Sequence, residues 1–94
     1  MKELKDTIED MTSEDYKKRF IAEYSQLVIR YNKLQKFIGK IKYAKYADQP
    51  EPPHDCPLDL LVKQSLTMLI YIRILVERAE IEKIELPDDL EIAD

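Results

Sequence analysis

The chain is poor in the residues that build cross-linked, metal-bound or glycine-turned folds: it has one Gly, one Cys, one His and no Trp among 94 residues. A single cysteine excludes an intramolecular disulfide, and the first residues carry no apolar leader, so a reducing cytoplasm is the expected compartment. One Cys and one His fall short of the four ligands of a structural zinc site, and no metal or other cofactor is expected. Gly39 stands alone, which excludes a glycine-rich phosphate loop and leaves no tight hairpin signal for a β-sheet. Long apolar runs are also missing. The richest, residues 66–76, has nine apolar residues in eleven, is interrupted by Arg73, and falls short of the about 20 residues that span a bilayer. A domain this small buries only about 60–65% of its unfolded surface when it folds alone, so a deep catalytic cleft is not expected.

What the chain does contain is charge, and it is segregated. Charged residues make up 36% of the composition and the net charge is −4. Residues 12–46 nevertheless hold nine Lys and Arg against three Asp and Glu, with no acid between Tyr24 and Ala47, while residues 47–63 and the end from Pro87 onward are acidic. A protein of this size that binds a long nucleic acid is usually basic throughout, so long nucleic acid is excluded as the expected partner, and so is a membrane. A small anion, or the chain's own acidic segments, suits a basic helix set among acidic ones.

The periodicity predicts an all-α fold. Leu4, Ile8 and Met11 mark a short N-terminal helix over residues 1–11. Thr12 reads as the cap of a long helix, with Glu14 and Asp15 in its first turn and Met11 against Tyr16 as a staple. Apolar residues then recur at Phe20, Tyr24, Leu27, Tyr31, Leu34, Ile38 and Ile41, in the alternating steps of four and three that make the seam of an antiparallel hairpin. Lys33, Lys36 and Lys40 fall opposite, as a solvated face. Four of the five prolines lie between positions 50 and 57 and must end this helix in a stiff loop at about 46–56. Pro57 suits the first position of a second helix, with Cys56 or Asp55 as cap and an end near Glu82. The hairpin domain thus covers residues 12–86, and residues 87–94 form an acidic tail, mobile unless Leu90 and Ile92 dock. A helix apolar on all sides, as residues 66–76 are, must be covered on all sides, and one partner helix covers only one. The hairpin is therefore expected to assemble into a helical-bundle homo-oligomer.

Few residues carry catalytic chemistry. Ser13, Ser25 and Ser65 have only His54 as a possible base, and His54 with Cys56 reads as a turn residue beside a capping one. No enzyme is expected. Binding chemistry is better supplied: six tyrosines accompany Arg19, Arg30, Arg73 and Arg78 at or near apolar faces, a set suited to gripping phosphates and stacking on bases. Arg73, embedded among Ile72, Ile74 and Leu75, must snorkel, pair with an acid or meet an anion.

Tyr16, Arg19, Glu23-Tyr24, Leu27, Tyr31 and Lys33-Leu34, then Cys56-Pro57-Leu58-Asp59-Leu60-Leu61, then Gln64, Met68, Tyr71 and Glu77-Arg78-Ala79-Glu80-Ile81, resemble a group of small helical-hairpin proteins of bacteriophages related to a crAss-like phage protein. The layout is also similar to that of the phage anti-CBASS and anti-Thoeris sponges, oligomeric hairpins that sequester cyclic nucleotide or cyclic ADP-ribose immune signals between protomers. The resemblance implies a phage immune-evasion protein in the host cytoplasm that binds a small phosphate-bearing signal without cleaving it. Arg73, Arg78, Arg19 and Arg30 would hold phosphates, and Tyr16, Tyr24, Tyr31 or Tyr71 would stack on bases. The competing class is a non-catalytic helical oligomer that docks on a host or phage protein as an adaptor or inhibitor.

Overall fold

The computed structural model describes residues 2–93, which are helical wherever they are regular and contain no strand. A 3₁₀ turn, Leu4–Thr7, runs into the short helix α1, Ile8–Met11. The long helix α2 spans Tyr16–Tyr46 and returns through the proline loop as α3, Leu58–Glu82. The return is antiparallel, since Arg78 near the end of α3 meets Tyr16 at the start of α2, and Tyr71 meets Glu23 one step further in.

The helix starts differ from the sequence expectation by a few residues, for a stated competition between caps. Thr12 does not open α2; its hydroxyl donates to the carbonyls of Ile8 and Glu9 at 3.2 Å each, closing α1. Asp15 takes the capping role in an extended conformation, its Oδ1 accepting the Lys17 N–H at 2.9 Å. An ionised oxygen is the better acceptor at the positive end of the dipole, and α1 has carbonyls for the threonine to satisfy. Met11 and Tyr16, expected as a staple, are both largely exposed. At α3, Pro57 sits one position earlier than expected: its ψ of 148° makes it the cap itself, and neither Cys56 nor Asp55 caps through a side chain.

Both long helices stop without glycine. Asp48 and Lys83 take left-handed backbone conformations, with φ of 53° and 57°. The next residue's N–H then reaches back five positions, Gln49 to the carbonyl of Ala44 and Ile84 to that of Ala79, each at 2.8 Å. These are Schellman closures. The second is completed by Ile84 packing in the core with Ala79.

The main core joins Phe20, Tyr24, Val28 and Tyr31 of α2 to Ile72, Leu75 and Ala79 of α3 and to Ile84. Ile38, Ile41 and Ala44, nearer the loop, are buried outside that cluster. Lys33, Lys36 and Lys40 are exposed, as the period requires. The C-terminal segment is docked rather than loose. Leu86, Leu90 and Ala93 pack on the core, and the Asn32 amide grips the backbone twice, donating to the Glu91 carbonyl at 2.6 Å and accepting the Ala93 N–H at 2.9 Å.

The result is a rod of 49 × 25 × 21 Å with a radius of gyration of 15.5 Å, where a compact chain of this length would have about 12 Å. Two helices cannot cover α3. Leu66, Ile70, Ile74 and Ile81 lie on the side of α3 away from α2 and remain 58, 58, 49 and 80% exposed. Among the described residues no helix is long and apolar enough to cross a membrane.

Candidate ligand-binding groove

The eight residues expected to bind a ligand are dispersed by the fold. Tyr24 and Tyr31 point into the core with 5 and 2% exposure, which leaves no ring face for a base. The a/d spacing that displays a tyrosine on a seam also buries it when the facing helix is close. Burial pushes the Tyr24 hydroxyl above its ordinary pKa, because the phenolate would lose hydration. Arg30 is exposed on α2, one turn before Lys33. Arg19 is spent locally, its Nη1 donating to the Ser13 carbonyl at 2.8 Å.

Tyr16, Tyr71 and Arg78 are brought together across the open end of the hairpin. The Arg78 guanidinium lies 4.9 Å from the Phe20 ring centroid, its Nε donates to Glu82 Oε2 at 3.0 Å and its Nη2 to the Tyr16 hydroxyl at 3.2 Å. The Tyr16 ring meets Phe20 edge-on at 6.4 Å. Beside them the Tyr71 hydroxyl donates to the Glu23 carboxylate, which holds the phenol protonated and raises its pKa. These bonds run from α3 to α2, so the geometry is that of a clamp between the two helices, with the Arg78 side chain still 45% exposed.

The space of ligand size lies elsewhere. A groove of about 850 Å³ runs along the side of α2 where the C-terminal segment docks, with Ile29, Asn32 and Lys33 on one wall, Lys2 at one end and residues 88–93 along the other wall. A second hollow of about 450 Å³, on the α3 side of the same segment, is lined by Leu69, Ile72, Arg73 and Val76. Ile92 and Ala93 border both, so the C-terminal segment divides one trough in two. Typical small-molecule sites occupy about 300–1,000 Å³. Of the eight expected residues only Arg73 lines this trough, exposed at its rim rather than snorkelling from a core. Its cationic companions are Lys2 and Lys33, and the acids Glu3, Asp88, Asp89 and Glu91 stand opposite.

Sequence reasoning placed Lys33 on a solvated face and missed Asn32 altogether. The only signal was an amide on the edge of the basic helix, and its meaning depends on where the tail lies.

His54, the one residue that might have served as a base, is committed to the loop. Its Nδ1 faces the Cys56 carbonyl at 2.7 Å and its Nε2 the Glu51 carboxylate at 3.0 Å, while Lys45 Nζ reaches the other Glu51 oxygen at 3.0 Å. Two acceptors on one imidazole favour the doubly protonated ring and raise its pKa, chiefly through Glu51.

Residues 14–81 hold α2, the proline loop and all of α3 but its last residue, and the sequence model of one family, Sequestin, matches this span. The chain belongs to the Sequestin family. The matched span leaves out the N-terminal turn and the C-terminal segment, so the trough is walled partly by family-matched helices and partly by segments outside the match. The family name denotes sequestration, which agrees with a sponge-like role inferred from the hairpin. No curated protein and no solved structure matches this Sequestin.

Proposed function

We propose that the chain is a phage protein that captures a small phosphate-bearing nucleotide signal of host immunity, a cyclic oligonucleotide or a cyclic ADP-ribose isomer, and holds it uncleaved in the cytoplasm of the infected cell. The observation that carries this reading is a ligand-sized trough, with Lys2, Lys33 and Arg73 in its lining beside the acids Glu3, Asp88, Asp89 and Glu91, in a member of a family named for sequestration. Lys33 and Arg73 face the two halves of the trough and are placed to hold phosphate oxygens, with the apolar walls of Ile29, Leu69 and Val76 beneath a base or ribose. Arg78, Tyr16 and Tyr71 join α2 to α3 outside the lining of the trough. Stoichiometric capture needs affinity and abundance and no turnover groups, which suits a chain whose only imidazole is tied into a loop.

Isothermal titration against cyclic dinucleotides, cyclic trinucleotides and cyclic ADP-ribose isomers tests the reading. One class should bind stoichiometrically and be recovered with unchanged mass after heat denaturation. Lys33→Ala and Arg73→Ala should each weaken it about tenfold or more, or about 1.4 kcal/mol, with helicity retained. Silence across the panel removes the proposal, and a cleaved product replaces it with a hydrolase.

A further inference from the structure

The uncovered face of α3 has a self-complementary pattern. At about 100° per residue, Leu66, Ile70, Ile74 and Ile81 fall within roughly 80° of one another and opposite Ile72, Leu75 and Ala79, which face α2. Lys63 and Glu77 lie on the same stripe, seven residues to either side of Ile70, and neither makes an ion pair with another described residue. The accessible surface is 7044 Å², about 1,300 Å² above that of a compact monomer of 11.2 kDa. A standard interface buries about 800 Å² per partner, so the surplus is of the size one such contact removes.

We infer that the stripe is an isologous interface on which a second copy of this chain packs its own α3, antiparallel, about a two-fold axis at Ile70. This register sets Ile70 against the partner's Ile70, Leu66 against the partner's Ile74, and Lys63 against the partner's Glu77, each contact occurring twice by symmetry. A parallel pairing would instead oppose Lys63, Arg73 and Glu77 to their own copies, three like-charge contacts along one seam. The antiparallel register also sets Arg73 beside the partner's Thr67. Arg73 lines the shallower hollow of the trough as well, so the partner subunit forms part of that hollow's rim.

Sedimentation equilibrium of the full chain, from micromolar upward, reads the association directly. The wild type should dimerise. Ile70→Glu places two carboxylates on the axis and should weaken the dimer roughly thirtyfold or more. Lys63→Glu and Glu77→Lys should each weaken it, roughly tenfold, and the double exchange K63E/E77K should restore it, an outcome specific to this antiparallel register. Circular dichroism reports the fold of each variant, and if Ile70→Glu loses helicity the pair Leu66→Gln and Ile74→Gln takes its place. A monomeric wild type at about 100 μM, where specific homodimers associate, overturns the inference. So does an oligomer indifferent to the stripe, a double exchange that fails to restore association, or a different protein found to occupy this face in place of a second copy.

Discussion

Lys45, Glu51 and His54 form an ion-pair group that ties the proline loop back to α2, and the Phe37 ring meets the imidazole edge-on at 6.3 Å. The group responds to pH in two directions. Hydrogen bonds from His54 and Lys45 hold the Glu51 carboxyl below its ordinary value of 4.5, so its contribution is full above 4.5 and is lost as pH falls through the lowered value. His54 is raised above 6.5, so its contribution is full below 6.5 and is lost as pH rises through the raised value. The loop is therefore held best between these two ordinary values. An NMR titration of the His54 Cε1–H should give a midpoint above 6.5 in the wild type and one closer to 6.5 in Glu51→Gln. Unequal residue-scale legibility has a physical cause here. Reading His54 and Cys56 as loop residues needed only their proline neighbours, whereas Glu51 gains its role from the path of the loop, which no spacing encodes. The same holds for the candidate site: Arg73 was conspicuous as a charge inside an apolar run, but Asn32 matters only because a segment fifty-nine residues away lies across it.

Helix α3 ends with a lysine where a glycine would be easier. Lys83 carries a Cβ in the left-handed region, at a cost of about 1–2 kcal/mol relative to ordinary geometry, part of which glycine would return to chain entropy. Lys83→Gly should thus stabilise the protein by about 0.5–1 kcal/mol, seen as a rise of about 2–8 °C in a thermal melt. An unchanged or lowered Tm would mean that the lysine side chain contributes more than its backbone costs. The scarcity of glycine is also why helix ends were harder to read than helix bodies. The alternating apolar steps of α2 and the prolines after it located both long helices. Their starts turned on a contest between Thr12 and Asp15, and between Pro57 and its predecessors, that depends on which carbonyls and amides need partners. Tyr24 and Tyr31 show the limit of periodicity from the other side: it gives the face a residue occupies, and the closeness of the neighbouring helix decides whether that face is rim or core.

At the scale of the whole molecule, the all-helical hairpin and its surplus of apolar surface were both visible in the composition and period, because each is a sum over many residues. Docking of the C-terminal segment was not, since it rests on three apolar side chains and a single amide. The core itself is uneven along the rod. Its contiguous cluster occupies the half that contains residues 20–31 and 72–84, and the loop half is buried by Ile38, Ile41, Ala44 and few others from α3. A rod packed in this way need not open all at once. Native-state hydrogen exchange should therefore resolve two rates in one pair of helices: amides of residues 24–31 and 72–79 exchanging only with global unfolding, and those of 38–46 and 58–65 exchanging earlier through opening of the loop end. Uniform protection along both helices would show a single cooperative unit. If the two rates are found, the trough and the C-terminal segment across it sit on the slow half, so the part of the chain that meets a ligand keeps its shape while the far end breathes.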